Sequence, residues 1–419
     1  MFAGDNKFST VAPAPTMEAA RISGVSSSSL RSPARPGISG ATVLVTDEHY
    51  KHSLGIVRQL GRLGAHVSVV AASKESLACR SRFCKEVILS DGHTVEALVE
   101  TTLRAVSERR FDLVMPVSYP MTLALARRRD DLAAYTHLEV MGSEAIEQAA
   151  DKAKMTQLAG RIGIPAPKTF LLTEVQGRLQ ELSFPVVIKL QKESPGRLPI
   201  RYVHNLTELK GILSAELGDK SPGQGAKLLV QEFIPGYGCG FFATYQYGVC
   251  KRVFMHRRVR EFPAAGGVSS CAESFYDLKL ETYGRRMLDA LGWHGVAMVE
   301  FRRDARDADY KLMEINPKFW GSLDLALAAG ADFPGDLCRM ALGWDLSFTD
   351  SYERKLRFQW PFSGYGEIFH VRSRPHSVLQ VALDFLNPAV KSNIWMSDFR
   401  PNLEELRALA RQILHKRKG

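Results

Sequence analysis

Two alternating stretches leave this chain few folds: Gly295-Val296-Ala297-Met298-Val299-Glu300-Phe301, and Tyr310-Lys311-Leu312-Met313-Glu314-Ile315-Asn316-Pro317 beyond a polar loop at 303–309. Period two with an apolar face reads as strand. Val299 and Phe301 are expected to point one way, and Met298, Glu300 and Arg302 the other. In the second stretch Met313 and Ile315 oppose Leu312, Glu314 and Asn316. A hairpin turning near Asp307 sets Glu300 opposite Glu314, and like charges facing each other in a sheet are unfavourable. Either both carboxylates splay into solvent, as on an ordinary exposed hairpin, or a cation holds them together. Asn316 faces the same way and adds a neutral oxygen. Oxygen-only ligands suit Mg²⁺, which binds one or two carboxylates and completes its shell with water and phosphate.

The preceding chain alternates strand and helix. The apolar run Ala41–Thr46 reads as a buried parallel strand. A helix with Leu54, Val57, Leu60 and Leu63 on one side follows, and His66–Val70 resumes as strand. Val87–Leu89, a helix from about Thr94 to Arg109, Asp112–Val117, a helix near 120–134 and a strand at His137–Val140 continue the pattern. The turn after the first strand, Thr46-Asp47-Glu48-His49-Tyr50, lacks the glycines of a dinucleotide fingerprint, and no Walker A sequence occurs. A nucleotide, if bound, is held by another device.

Residues 1–40 are rich in Ser, Pro, Ala and Gly and are expected to be a disordered tail without the apolar core of a secretory signal. A transit peptide is the alternative there. With 419 residues the chain has material for two or three domains. Its net charge of +10 is compatible with nucleic acid, a membrane surface or small anions. The basic residues fall in short clusters without zinc-finger or RNP-like spacing, which favours small anionic ligands over nucleic acid. Six scattered cysteines without a C-x-x-C pair, and no apolar run of membrane length, lead us to expect a cytoplasmic protein with reduced thiols. His49 and His52 are weak evidence for a metal.

A break near Asp151–Lys154 separates two helices, and Ile164–Thr169 is an extended linker. Phe184-Pro185-Val186-Val187-Ile188-Lys189-Leu190 reads as a buried strand with one inserted lysine. A lysine there is costly without an anionic partner, and a polyphosphate supplies one. Lys227–Gly236 reads as a further strand, Phe241–His256 as a hairpin, and Leu278–Leu291 as a helix. If extended, Arg258 and Arg260 share a face and can fork a carboxylate; a solvated basic strand is the alternative.

Over roughly residues 41–345 these motifs together resemble the ATP-grasp superfamily, in particular its carboxylate–amine ligases, similar in layout to biotin carboxylase and D-alanine–D-alanine ligase. The resemblance rests on the order of Asp151-Lys152, Gly163–Thr169, Pro185–Lys189, Gln231–Gly236, His256–Arg258 with Gly266-Gly267, and Glu300 with Glu314–Gly321. It implies an α/β and α+β chain: a parallel-sheet pre-ATP-grasp domain at 41–142, a two-lobed ATP-grasp domain at 143–345 with its lid lobe at about 165–235, and an appended lobe at 346–419. It implies that Lys152 and Lys189 face the phosphates, and that Gln231, Glu232, Phe233 and Ile234 form the adenine hinge. By the same resemblance Glu300, Glu314 and Asn316 hold Mg²⁺, with Mn²⁺ as the alternative. Lys318 stands where relatives carry an arginine facing the substrate or the transferring phosphoryl group. With Arg258 and Arg260 it completes the expected catalytic set.

The implied reaction activates a carboxylate with ATP as an acyl phosphate, which an amine then attacks. The expected partners are small-molecule carboxylates and amines and, in a homodimer, a second copy of the chain; neither nucleic acid nor membrane is expected. Two features depart from the pattern. The loop Lys192–Arg197 is poor in glycine for a phosphate flap, and Tyr237 stands where relatives have an acid for the ribose. An ATP-binding regulatory or scaffold protein without turnover is therefore the competing reading.

Overall fold

The computed structural model describes residues 37–192, 200–217, 228–262, 268–362, 379 and 383–416. It opens with β1 (Thr42–Val45), α1 (Lys51–Arg62), β2 (His66–Ala71), β3 (Cys84–Leu89), α2 (Val95–Glu108), β4 (Leu113–Met115), α3 (Tyr119–Arg127) and α4 (Arg129–Ala133). The strands form a parallel sheet in the order β3-β2-β1-β4. The strand expected at 137–140 contributes only an isolated bridge from His137 to Leu113, because Val140 turns back to hydrogen-bond Leu138.

After α5 (Ser143–Ala149) and α6 (Lys152–Arg161) comes a second unit: β5 (Thr169–Leu171), β6 (Val186–Leu190), β7 (Arg201–Val203), α7 (Leu206–Leu217) and β8 (Leu228–Glu232). Its antiparallel sheet runs β5-β8-β6-β7. Phe170, Val186, Ile188, Leu209 and Val230 form its own small core.

The chain then builds the central sheet: β9 (Gly236–Gln246), β10 (Val249–Phe262), β11 (Val268–Ser274), α8 (Leu278–Ala290), β12 (Gly295–Asp304) and β13 (Tyr310–Asn316). Then follow α9 (Leu323–Ala328), α10 (Phe333–Ala341), β14 (Arg357–Gln359), β15 (Val390–Ser392) and a C-terminal helix, Arg400–Lys416. The sheet order is β13-β12-β9-β10-β11-β14-β15. Two strands of the region expected as an appended lobe thus extend the central sheet.

One face of the central sheet carries Phe242, Phe254 and Met298 into a core shared with Trp320, β1, β2 and α1. The other carries Phe241, Tyr245, Val299, Phe301 and Ile315 against α6 and α8. Leu312 belongs to this second core, against the expected alternation. Glu300 pairs with Glu314 but Phe301 pairs with Leu312, so Met313 is an extra residue in β13. A bulge of this kind inverts the facing of everything beyond it. Among the described residues no helix is long and apolar enough to cross a membrane.

Candidate active site

Glu300 and Glu314 are direct cross-strand partners, and Met298 pairs with Asn316, so β12 and β13 present both carboxylates and the amide on one face. Gly240 of β9 pairs with Glu300 on its other side, and the Phe242 ring covers this glycine, where a Cβ would come within 2.6 Å of it. A Cβ at Gly238 would come within 2.9 Å of Arg258 Cδ, so the missing side chain gives Arg258 its path across β9. Arg258 Nη2 reaches Glu300 Oε1 at 2.7 Å, and its Nη1 lies 3.8 Å from Glu261.

Lys152 comes from the first turn of α6, where Asp151 caps the helix by accepting from the amides of Ala153 and Lys154 at 3.1 and 3.2 Å. The Gln191 amide donates to both Asp151 oxygens, at 3.0 and 2.8 Å, and the Lys152 amide donates to the Gln191 carbonyl at 3.1 Å. Gln191 lies two residues beyond Lys189, so this tie holds the two lysines in one frame. Sequence reading passed over Gln191; the aspartate–lysine pair at a helix start was the available signal. Lys152 Nζ ends 3.1 Å from Glu314 Oε2.

The charges perturb one another. Burial pushes the Lys189 ammonium down to about 8, partly offset by Glu314 and reinforced by Lys152. Burial also raises Glu300, with Arg258 opposing and Glu314 adding to the rise. Burial would raise Glu314 too, but Lys152 and Lys189 outweigh it and hold that carboxylate well below its ordinary range.

Arg260 does not join the site. Arg258 pairs with Ala272 and Arg260 with Cys271, so Val259 is bulged out of the ladder. Adjacent residues of β11 face opposite ways, which turns Arg260 to the far side. There it pairs with Asp384 and donates to Gln359 Oε1 at 3.4 Å.

The other expected residues fall as follows. Gln231 is buried and donates to Thr169 Oγ1 at 2.9 Å. The Glu232 carboxylate accepts from Arg306 at 2.8 Å and from the Lys168 amide at 3.2 Å, so it clasps the hinge. Phe233 packs edge-on against Tyr202. Ile234 is buried, and its carbonyl accepts from Arg302 Nε at 2.9 Å. Lys318 lies near α1, where its charge helps depress buried His52, although desolvation is the larger cause. Gly266-Gly267 and all but the first residue of the expected flap at 192–197 lie outside the described residues, as does most of the tail.

Among the described residues no three His, Cys, Asp or Glu side chains gather as a metal cage. The donor set is instead two carboxylates and an amide, which suits Mg²⁺ sharing its shell with phosphate. The Asn316 amide donates to Glu314 Oε1 at 3.1 Å, which orients it beside that carboxylate.

No family model matches the chain. It is 23% identical over 244 residues to D-aspartate ligase of Enterococcus faecium, covering 52% of this chain and 57% of that protein. It is 32% identical over 114 residues to N5-carboxyaminoimidazole ribonucleotide synthase of Synechococcus elongatus, covering 25% and 27%. The chain thus spans little more than half, or less, of these curated relatives. Among solved structures it resembles the biotin carboxylase domain of Hydrogenobacter thermophilus 2-oxoglutarate carboxylase, a dimer in complex with MgADP, ADP and bicarbonate. The TM-score is 0.61 at 15% identity, over 75% of this chain and 73% of that one. An ADP complex of N5-carboxyaminoimidazole ribonucleotide synthetase matches with a TM-score of 0.59 at 12% identity, over 76% and 81%.

Proposed function

From the premise that this chain has the ATP-grasp fold, we propose that it is an ATP- and Mg²⁺-dependent ligase joining a carboxylate to an amine. A carboxylate oxygen attacks the γ-phosphorus of ATP and ADP leaves. The amine nitrogen attacks the acyl carbon of the resulting acyl phosphate, the carbon–oxygen bond breaks, and inorganic phosphate departs with the carboxylate's former oxygen as the nitrogen loses its proton.

The observation that carries this reading is the direct pairing of Glu300 with Glu314, each matched to a cation. Glu300, Glu314 and Asn316 would hold Mg²⁺, which supplies charge neutralisation at the phosphate oxygens. Lys152 and Lys189 bind the phosphates, so the charge of the transferring group meets positions already fixed by the Asp151–Gln191 tie. Arg258 moves between Glu300 and the incoming carboxylate. The Gln231–Ile234 hinge takes the adenine through its backbone, since the Glu232 carboxylate is engaged. Lys318 faces the substrate from the side of α1. The domain limits 41–142, 143–345 and 346–419, and a homodimer, form part of the proposal; the D-aspartate ligase relative makes D-aspartate the first carboxylate to screen.

The reading is tested by supplying hydroxylamine as a general amine with ATP, Mg²⁺ and a carboxylate panel headed by D-aspartate. ADP release together with hydroxamate formation is expected for at least one carboxylate. Nucleotide binding with no hydroxamate for any of them favours the non-catalytic reading, which the engaged Glu232 carboxylate supports.

A further inference from the structure

A cavity of about 430 Å³ opens along the β3 edge of the parallel sheet, and Lys74, Arg80, Arg82 and Arg400 line it together with Cys79 and Cys84. Among the described residues no acidic side chain lines it. Arg80 carries carboxylates of its own: Glu75 pairs with it, and Glu404 lies 3.8 Å from its Nε while also accepting from Arg407. Four cations therefore face one volume, an arrangement that an entering anion stabilises.

The clustering is built into the fold. Arg82 and Arg400 belong to segments far apart in sequence that meet at one buried aspartate. Asp398 accepts from Arg58 Nε at 2.9 Å, Ser81 Oγ at 2.7 Å and the Arg82 amide at 2.8 Å. This knot lies beneath the cations and fixes the loop after β2 against the start of the C-terminal helix. Arg400 is the first residue of that helix, where a cation is opposed by the helix dipole and an anion is favoured. Arg80 adds a buried Nε–H that has no hydrogen-bond partner.

We propose that this groove is a second anion site, separate from the nucleotide site, that takes a small phosphorylated molecule. The guanidinium groups match phosphate oxygens through paired donors. Val87 and Cys79 offer a less polar wall to an organic body, and the volume lies in the range of small-molecule sites. The sheet order places β3 three strands from β4, and Leu113–Met115 of β4 meet the loop that carries Lys318. The groove and the Glu300–Glu314 pair therefore lie at different edges.

The test is equilibrium binding of radiolabelled pyrophosphate to the full chain at low ionic strength. Its arms are the wild type, the double variant Lys74→Ala/Arg400→Ala, and the double variant Lys152→Ala/Lys189→Ala. Lys74 and Arg400 are exposed, so neither substitution disturbs packing; Arg400→Lys serves as a milder second variant. We expect Lys74→Ala/Arg400→Ala to weaken pyrophosphate at least tenfold and to leave ATP–Mg²⁺ binding unchanged, with Arg400→Lys intermediate. Lys152→Ala/Lys189→Ala should retain the groove's pyrophosphate. Binding lost only in the lysine pair would assign the anion to the nucleotide site and overturn the proposal. Equal displacement by citrate at matched ionic strength would overturn the phosphate assignment.

Discussion

Lys152 Nζ lies 3.1 Å from Glu314 Oε2, so a lysine holds one of the carboxylates proposed to face a metal ion. Lys152 and Lys189 together keep Glu314 ionised far below neutrality. Neutral Gln at 314 keeps the shape and removes the charge. We expect Glu314→Gln to lower kcat/KM for ADP release by roughly 10²–10³-fold, the scale for one preorganised charge. A coupled ADP assay with the variant's folding checked by circular dichroism measures it.

Nucleotide binding through Lys189 is expected to be pH-dependent. Its pKa is lowered from 10.5 to about 8, so the free protein loses this positive charge as pH rises through 8. ATP affinity should fall over that range, and Lys189→Arg should flatten the profile. For stability the sign is opposite: between about 8 and 10.5 the unfolded chain holds a proton that the folded chain has released, so stability rises with pH. Urea titrations of wild type and Lys189→Met at several pH values read this difference directly.

The bulge at Val259 separates two arginines that look equivalent in sequence. Arg258→Met should raise the KM of the carboxylate substrate and lower kcat, because Arg258 reaches Glu300. Arg260→Met should leave both constants unchanged and act on stability through Asp384 and Gln359. Matching losses in the two variants would contradict the assignment of their faces.

His256 is buried with its Nε2 2.6 Å from Ser322 Oγ, and burial pushes it down from 6.5 to about 3. The unfolded chain binds a proton in this window that the folded chain refuses, so stability falls with acid between pH 6.5 and 3. One such proton gives a slope of about 1.4 kcal/mol per pH unit. His256→Gln should remove one proton from the slope measured by denaturant unfolding.

Arg58 and Asp398 form an ion pair with side chains 2% and 1% exposed. Asp398→Ala strands the guanidinium and should cost about 3–5 kcal/mol. Thermal unfolding against the Arg58→Met/Asp398→Leu double variant, which leaves no stranded charge, separates the pair's net worth from the penalty of breaking it.

Much of this organisation was legible where the signal was local. Lys189 stands out as a charge in an apolar strand, and Glu300 and Glu314 follow from alternation with the turn near Asp307. What escaped depended on pairing. Nothing around Val259 or Met313 announces the extra residue that turns Arg260 and Leu312 to other faces. β11, Val-Ser-Ser-Cys-Ala-Glu-Ser, carries little apolar pattern and becomes a strand between β10 and β14. The Arg58–Asp398 knot joins residues 340 apart, beyond any local periodicity. Nothing local to Glu232 shows that its carboxylate meets Arg306, which comes from the distant β12–β13 turn.

The central claim is carboxylate activation by ATP at the Glu300–Glu314 pair. Its most direct test supplies an ¹⁸O-labelled carboxylate found active in the hydroxamate screen, with its amine, ATP and Mg²⁺. Mass spectrometry then follows the inorganic phosphate and the amide. The account predicts one ¹⁸O in the phosphate for each amide and ADP formed, with all three lost in Glu314→Ala/Asn316→Ala. Phosphate free of ¹⁸O, or turnover unchanged in that variant, would contradict it.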